Sequence, residues 1–198
     1  AEAHYEFGRA LADLGRLEEA AACFNKVLEK DIDDEHYGAR VQLARLGKEK
    51  MPDCTPEPYM KNFYRIKSRR WEQMGSHYRG HQLVRETIQH VIAKNERFDI
   101  LDLGCGTGSL AEFLHSYAKI LDGVDLSPEM LERSAERGVY DNLTEKNLIL
   151  YLEDSSNSYG LIVAAAVLIH FADLETVFTL VWDRLNENGS FVFSLFQA

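Results

Sequence analysis

The sequence has 198 residues and a formal charge of −10, from 22 Lys and Arg residues against 32 Asp and Glu residues. This acidic balance disfavours a nucleic-acid partner, because domains that bind the phosphate backbone are typically basic. The longest apolar run, residues 161–169, is far shorter than the roughly 20 residues that span a bilayer. No leader segment is visible, and three cysteines without CxxC spacing favour neither a disulfide framework nor a zinc site. We therefore expect a cytoplasmic protein with no membrane partner and no metal site.

Residues 1–50 are predicted to contain a helical repeat. Apolar residues recur at helical spacing on both sides of Gly15, which indicates two amphipathic helices separated by a glycine stop. A shift of 32 positions pairs His4-Tyr5 with His36-Tyr37, and Leu14-Gly15 with Leu46-Gly47. The first helix is therefore repeated.

This pattern resembles a tetratricopeptide repeat, whose helical hairpins stack on one another. The family positions are occupied by Phe7, Gly8, Leu11, Ala20, Phe24 and Val27. His4 stands where the family has a large aromatic residue and Ile32 where it has a proline, so an unrelated helical hairpin is the alternative. One and a half repeats bury little surface, so we expect either further repeats upstream or docking on the next domain. The resemblance also implies a possible protein partner.

The middle of the chain changes in composition twice. Residues 51–58 hold three of the four prolines and are predicted to be a linker. Residues 59–97 carry nine basic and three acidic side chains and are predicted to form two helices, at 59–73 and 81–94.

A strand, a glycine-rich turn and a helix follow, which is the first unit of a Rossmann-like sheet. Residues 98–103 are the strand, GCGTG at 104–108 is the turn, and the helix covers 109–117. The spacing GxGxG differs from the GxGxxG of dinucleotide-binding proteins. A P-loop is excluded because no lysine lies between Lys94 and Lys119.

This turn closely resembles that of the class I S-adenosylmethionine-dependent methyltransferases. The family pattern of an acidic residue followed by three alternate glycines is matched by Asp102, Gly104, Gly106 and Gly108. A second marker is Asp125, at the carboxyl end of the predicted strand 118–125. The resemblance implies S-adenosylmethionine as cofactor, with Asp125 accepting hydrogen bonds from the ribose and Asp102 lying near the ammonium group, directly or through water.

Carried over position by position, the resemblance gives the expected cofactor-binding residues as Asp102, Gly104, Cys105, Gly106, Gly108, Asp125, Leu126, Met130, Asn147, Leu148 and Ala164. Asn147 stands where the family often has an acidic residue against the adenine. Met130 commonly faces the adenine in the family, although a methionine in a helix is more often a core residue. Ser127 and Pro128 explain a helix start without any further role.

Two further groups of residues are candidates for the chemistry. His170 follows the fourth strand and is the candidate general base, although a structural histidine is the alternative. The basic segment is predicted to form a lid over the site, with Tyr64, Arg70, Trp71 and Tyr78 lining it. The alternative is a solvated basic helix that packs through its aromatic residues.

The C-terminal half is predicted to complete a parallel sheet. It contains strands at 159–165 and 190–196, a helix at 174–185 and a turn at 186–189. The family's sheet has seven strands, and this chain supplies five at most. The expected fold is therefore α/β: a Rossmann-like class I methyltransferase sheet over residues 98–198, without its C-terminal strands, preceded by an α-helical tetratricopeptide-like hairpin.

Three functions are compatible with the sequence. The first is a methyltransferase that acts on a small, anionic molecule, because a basic lid favours a carboxylate or a phosphate. The second is a protein methyltransferase that docks its substrate through the repeat. The third is an adaptor that binds S-adenosylmethionine without catalysis, which Ala166 and Asn147 favour because the family often has acidic residues at these positions.

Overall fold

The structure is a computed structural model that describes residues 1–34, 36–68, 71, 79–93 and 96–195. The chain divides into two compact units, residues 1–63 with 170–173 and residues 64–169 with 174 onward. The domain boundaries proposed from the sequence, at residues 50, 58 and 97, stay predictions. Within the described ranges, no helix is long and apolar enough to cross a membrane.

The first unit is built on a helical hairpin, which confirms the predicted N-terminal fold. Helices α1 (Glu2–Asp13) and α2 (Leu17–Leu28) are followed by α3 (Ala39–Arg45). A Cβ atom on Gly8 would lie 2.9 Å from a ring carbon of Phe24, so only glycine lets the helices approach this closely at that point. Phe24 is fully buried, and its ring contacts that of Tyr5 at 5.8 Å between centroids.

The proline-rich segment is hydrogen-bonded to a distant part of the chain within the same unit. The Thr55 N–H donates to the His170 carbonyl at 2.8 Å, and the Ala172 N–H donates to the Asp53 carbonyl at 2.9 Å. Helix α4 (Glu57–Lys67) then begins inside the segment predicted as a linker.

The second unit contains a five-stranded parallel sheet with strand order β3-β2-β1-β4-β5. The strands are β1 (Phe98–Leu103), β2 (Ala118–Asp125), β3 (Asn142–Glu145), β4 (Tyr159–Ala164) and β5 (Leu185–Phe193). The helices are α5 (Gly80–Val91), α6 (Ala111–His115), α7 (Pro128–Ala135), α8 (Leu148–Asp154) and α9 (Glu175–Arg184), with a 3-10 turn at Leu168–His170.

One buried cluster joins α5 and α6 to the sheet. Val84 and Ile88 of α5 and Leu114 of α6 pack against Ile100 and Leu121 of the central strands. Because side chains alternate along a strand, the buried residues adjacent to Ile100 and Leu121 in β1 and β2 point to the opposite face of the sheet. Burial on both faces explains consecutive apolar residues such as Ile100 and Leu101 in β1, although both strands also carry aspartate.

The predicted strand at 190–196 is longer and starts earlier than expected. In β5, Leu185 pairs with Tyr159, and the next ladder partner is Ser190 opposite Leu161. The four residues between them, predicted as a turn, form an irregularity within the strand, where Asn188 has φ of 63°. The strand pairs with β4 on both sides of the irregularity, and the register shifts across it.

Candidate active site

The glycine-rich turn lies between β1 and α6 and is fixed to the end of β2. The backbone N–H groups of Gly104 and Cys105 donate to the Val124 carbonyl at 2.8 and 3.1 Å. Gly104, Gly106 and Gly108 have φ angles of 67°, 56° and 71°, a region that side-chain-bearing residues rarely adopt. The turn therefore requires glycine at these positions on backbone grounds.

The three glycines differ in what surrounds them. A Cβ atom on Gly104 would lie 2.6 Å from Val167, and one on Gly108 would lie 2.9 Å from side-chain atoms of Arg137 and Ser134. At Gly106, no described atom lies within 4 Å of that position. Gly106 is therefore the glycine of this turn whose open side leaves room for a ligand.

Asp125 connects the turn to the end of β2. One carboxylate oxygen accepts the Gly106 N–H at 2.9 Å, and the other accepts the Ser127 N–H at 2.8 Å. Burial raises the pKa of Asp125, while the hydrogen bonds from Ser127, Gly106 and Leu126 act in the opposite direction. A carboxylate has about four acceptor positions, so after these three bonds about one remains for a further donor such as a hydroxyl group.

Asp102 is the acidic residue before the turn and is almost completely buried, with 2% of its surface exposed. Burial raises its pKa to about 7, an effect opposed by a hydrogen bond from Tyr140 and increased by the nearby Asp125. The Tyr140 hydroxyl donates to the Asp102 carboxyl at 2.7 Å. The protonation state of this group therefore changes near neutral pH.

Three side chains that the sequence analysis missed hold the turn from one side. The Ser134 hydroxyl donates to the Gly106 carbonyl at 3.1 Å, and Arg137 Nε donates to the Thr107 carbonyl at 2.6 Å. Tyr140 adds its bond to Asp102. The three lie three residues apart, at the end of α7 and just after it, but no motif in the sequence marks them.

The remaining candidates near the turn have mainly structural contacts. Met130 and Ala164 are buried at 1% and 0% exposure, and burial raises the pKa of the Cys105 thiol. The Asn147 side chain accepts the Ile149 N–H at 2.9 Å and so caps α8, a role that a search for helix caps could have found. Leu148 is buried and Leu126 is partly buried. Their cofactor contacts stay predictions.

The segment after β4 is tied to β5. Ala166 has φ of 62°, and its N–H donates to the Ser194 hydroxyl at 2.9 Å. A left-handed backbone angle at a residue with a Cβ costs roughly 1 kcal/mol. Ala166 adopts this angle directly before Val167, the residue that packs against Gly104.

His170 belongs to the other compact unit. Its Nδ1 lies 3.4 Å from the Thr55 hydroxyl, and burial lowers the pKa of its imidazole, which favours the neutral form that a general base requires. These contacts suit a structural histidine as well, and its catalytic role stays a prediction.

The predicted lid is described in part. The rings of Tyr64 and Trp71 contact each other at 5.3 Å between centroids, in an edge-on arrangement. Arg70 and Tyr78 lie outside the described residues.

Comparison with known proteins matches both parts of the chain to families. Residues 101–193 match a family model described as a methyltransferase domain, and residues 1–34 match one described as a tetratricopeptide repeat. The ubiquinone biosynthesis O-methyltransferase of Vibrio atlanticus is 26% identical over 68% of this chain and 60% of its own length. The malonyl-[acyl-carrier protein] O-methyltransferase of Priestia megaterium is 30% identical over 59% of this chain and 42% of its own length.

A solved structure agrees with these matches. An S-adenosylmethionine-dependent methyltransferase from Clostridium acetobutylicum has a TM-score of 0.50 and 26% identity, covering 68% of this chain and 56% of its own. This chain thus spans 60% or less of each of these three relatives. The predicted combination is confirmed at the level of domains: residues 101–193 match a methyltransferase domain and residues 1–34 a tetratricopeptide repeat, and the solved structure similar to this chain is an S-adenosylmethionine-dependent methyltransferase.

Proposed function

We propose that this protein transfers a methyl group from S-adenosylmethionine to an oxygen atom of a small, anionic acceptor. The observation that carries the proposal is the cradle formed by Gly106 and Asp125. Gly106 is open on the side where a Cβ would stand, and its N–H is held by the Asp125 carboxylate at 2.9 Å.

The residues present fit this cofactor. S-adenosylmethionine has no phosphate, so its site needs close backbone approach rather than a cluster of cations, and the open face of Gly106 supplies that approach. Asp125 retains acceptor capacity for a ribose hydroxyl after its three backbone bonds. Asp102 is the acidic group available for the cofactor's ammonium group.

When bound, the cofactor supplies a methyl group activated by a positively charged sulfur. The protein's task is then to position the two reactants and exclude water, which are the main sources of catalysis in such displacements. A general base is needed where the acceptor must lose a proton, and the neutral His170 is our candidate for that role.

The class of acceptor is supported by the relatives and by charge. Both curated relatives named above are O-methyltransferases. Residues 59–97 have an excess of six positive charges in a chain that is otherwise acidic. A basic segment that precedes the methyltransferase domain in the sequence would favour an acceptor that carries a carboxylate or a phosphate.

The experiment is to incubate the full chain with methyl-labelled S-adenosylmethionine and a panel of carboxylic acids and phenols. We expect label in a small acid, and the Asp125→Ala variant should lose this transfer. Asp141→Ala is the matched control, because Asp141 accepts a backbone N–H from Leu121 at 2.8 Å in the same sheet. Absence of labelled product with every small acceptor would contradict the proposal.

A protein acceptor is the second candidate, favoured by the repeat. Phe7 on α1, Leu14 just after α1 and Leu17 on α2 are exposed by 58%, 73% and 44%. Large apolar side chains at such exposure are suited to contact a partner. Addition of a protein fraction to the labelling reaction distinguishes the candidates, because label in protein rather than in small acids would favour this second function.

A further inference from the structure

Tyr140 reaches the cofactor site from outside the motifs that define it. It lies between α7 and β3, and its hydroxyl donates to the Asp102 carboxyl at 2.7 Å. Among the described residues, the Tyr140 hydroxyl is the donor to the buried Asp102 carboxyl. It fixes one carboxyl oxygen and leaves the other for a ligand.

The backbone of β2 is shaped to admit the tyrosine ring. Gly123 is the ladder partner of Asp102 on β2. A Cβ atom on Gly123 would lie 2.9 Å from a ring carbon of Tyr140. Any side chain at position 123 would therefore displace the ring that carries the hydroxyl to Asp102.

The surroundings make the charge of Asp102 sensitive to this bond. The titratable groups that face the carboxyl are the Tyr140 phenol, the Asp125 carboxyl and the Cys105 thiol. Gly123 and Val163, which flank Asp102 on the two neighbouring strands, carry no titratable group. Burial raises the pKa of Asp102 to about 7, and the Tyr140 hydrogen bond is the influence that lowers it.

We propose that Tyr140 is a positioning residue of the cofactor site, which orients Asp102 and favours the ionised form that accepts the cofactor's ammonium group. The proposal rests on the proposed function, because it requires that this site binds S-adenosylmethionine. A protonated carboxyl does not attract an ammonium group as an ion, so cofactor affinity should fall as the solution becomes more acidic.

The test compares the affinity for S-adenosylhomocysteine of the unaltered protein and Tyr140→Phe by calorimetry between pH 6 and pH 8. Loss of one hydrogen bond to a charged acceptor should raise the pKa of Asp102 by about one unit or more. The variant should therefore bind about tenfold more weakly at pH 6, and the difference should shrink by pH 8. Both proteins are titrated with the same ligand, so titration of the free ligand's amino group does not affect the ratio of their affinities at each pH.

Tyr159→Phe is the matched control. The Tyr159 hydroxyl donates to the buried Asp122 at 2.9 Å, so the control removes the same kind of bond within the same sheet. It should leave the affinity and its pH dependence unchanged. The ratio of the affinities of Tyr140→Phe and the unaltered protein is the decisive quantity. A ratio that is the same at every pH would overturn the proposal, because a merely structural loss weakens binding uniformly.

A measurement on the unaltered protein keeps the proposal testable if Tyr140→Phe does not fold. Calorimetry at pH 6.5 in buffers of different ionisation enthalpy should detect proton release when S-adenosylhomocysteine binds, because the ligand's ammonium group favours the ionised Asp102. Binding without proton release would overturn the proposal. No binding at any pH would instead contradict the proposed function itself.

Discussion

Asp102 carries a carboxyl group into a site where its charge is costly. Burial raises its pKa to about 7, far above the ordinary value near 3.9. The unfolded chain therefore loses this proton at lower pH than the folded chain does. The resulting contribution to stability is present below about pH 4 and is lost as the pH rises towards 7.

Replacement of Asp102 by Asn should therefore stabilise the protein in the absence of ligand. The gain in the free energy of unfolding should grow between about pH 4 and pH 7, reach on the order of 2 to 4 kcal/mol, and then level off. Denaturant unfolding at pH 4, 6 and 8 measures it. Equal unfolding free energies of variant and parent at pH 8 would show that burial of the Asp102 carboxylate does not destabilise the protein.

Gly106 offers a second test at the scale of one residue. Gly106→Val should abolish S-adenosylhomocysteine binding, because the side chain would occupy the open face of the turn. Gly138→Val is the control, since Gly138 has φ of 65° and, like Gly106, has no described atom within 4 Å of a Cβ position. Both variants should lose similar stability, about 1 to 2 kcal/mol from the left-handed backbone. Normal binding by Gly106→Val would mean that the turn faces away from the cofactor.

At the scale of elements, α7 and the residues after it support the glycine turn. Arg137 bonds to the Thr107 carbonyl at 2.6 Å and to Glu112 at 2.9 Å, so it links the turn to α6. Together with Ser134 on the Gly106 carbonyl, it keeps these carbonyls occupied within the protein. The turn is thus fixed before any ligand arrives, which reduces the entropy cost of binding.

Arg137→Met keeps most of the side-chain volume but removes these bonds. We expect affinity for S-adenosylhomocysteine to fall about three- to tenfold, in line with roughly 1 kcal/mol for a hydrogen bond. Arg133→Met is the matched control in α7. A guanidinium nitrogen of Arg133 lies 3.8 Å from a carboxylate oxygen of Glu136, so this variant removes a surface ion pair of an arginine in that helix. Equal affinities of the two variants, measured by calorimetry, would exclude a supporting role for Arg137.

The elements themselves could largely be predicted from the sequence, because their patterns are local. Strands β1 and β2 lie where the apolar runs predict them, and Ser127 caps α7 by accepting the Met130 N–H. The irregular start of β5 could not be predicted, since it depends on pairing with β4 and the local residues indicate a turn. The hydrogen bond between Tyr140 and Asp102 joins residues 38 positions apart, and neither the hydrophobic periodicity nor a sequence motif predicts it.

At the scale of the whole molecule, the chain joins a helical repeat to a methyltransferase domain. The two have separate cores, and each core follows from its own sequence pattern: small residues between helices in the first, and apolar strands in the second. The role of the basic segment could not be derived in this way. A lid and a solvated basic helix have the same amphipathic pattern and differ only in their response to a ligand.

Hydrogen exchange distinguishes these two roles. If the segment is a lid, S-adenosylhomocysteine should slow exchange in residues 59–68 as well as in the glycine turn at 104–108. Helix α2, in the core of the repeat, is the internal control and should not change. Slower exchange in the turn alone would leave the segment as a solvated face and would remove the argument for an anionic acceptor.

We expect the cradle formed by Gly106 and Asp125 to bind the cofactor of a methyltransferase. Titration of S-adenosylhomocysteine into the full chain at pH 8 tests it most directly. We predict saturable binding that Asp125→Ala weakens by at least tenfold, since bonds to a charged acceptor contribute about 1.5 to 3 kcal/mol. Asp141→Ala should bind normally. Absence of binding, or equal affinity of Asp125→Ala and the unaltered protein, would contradict a cofactor-binding role for the cradle.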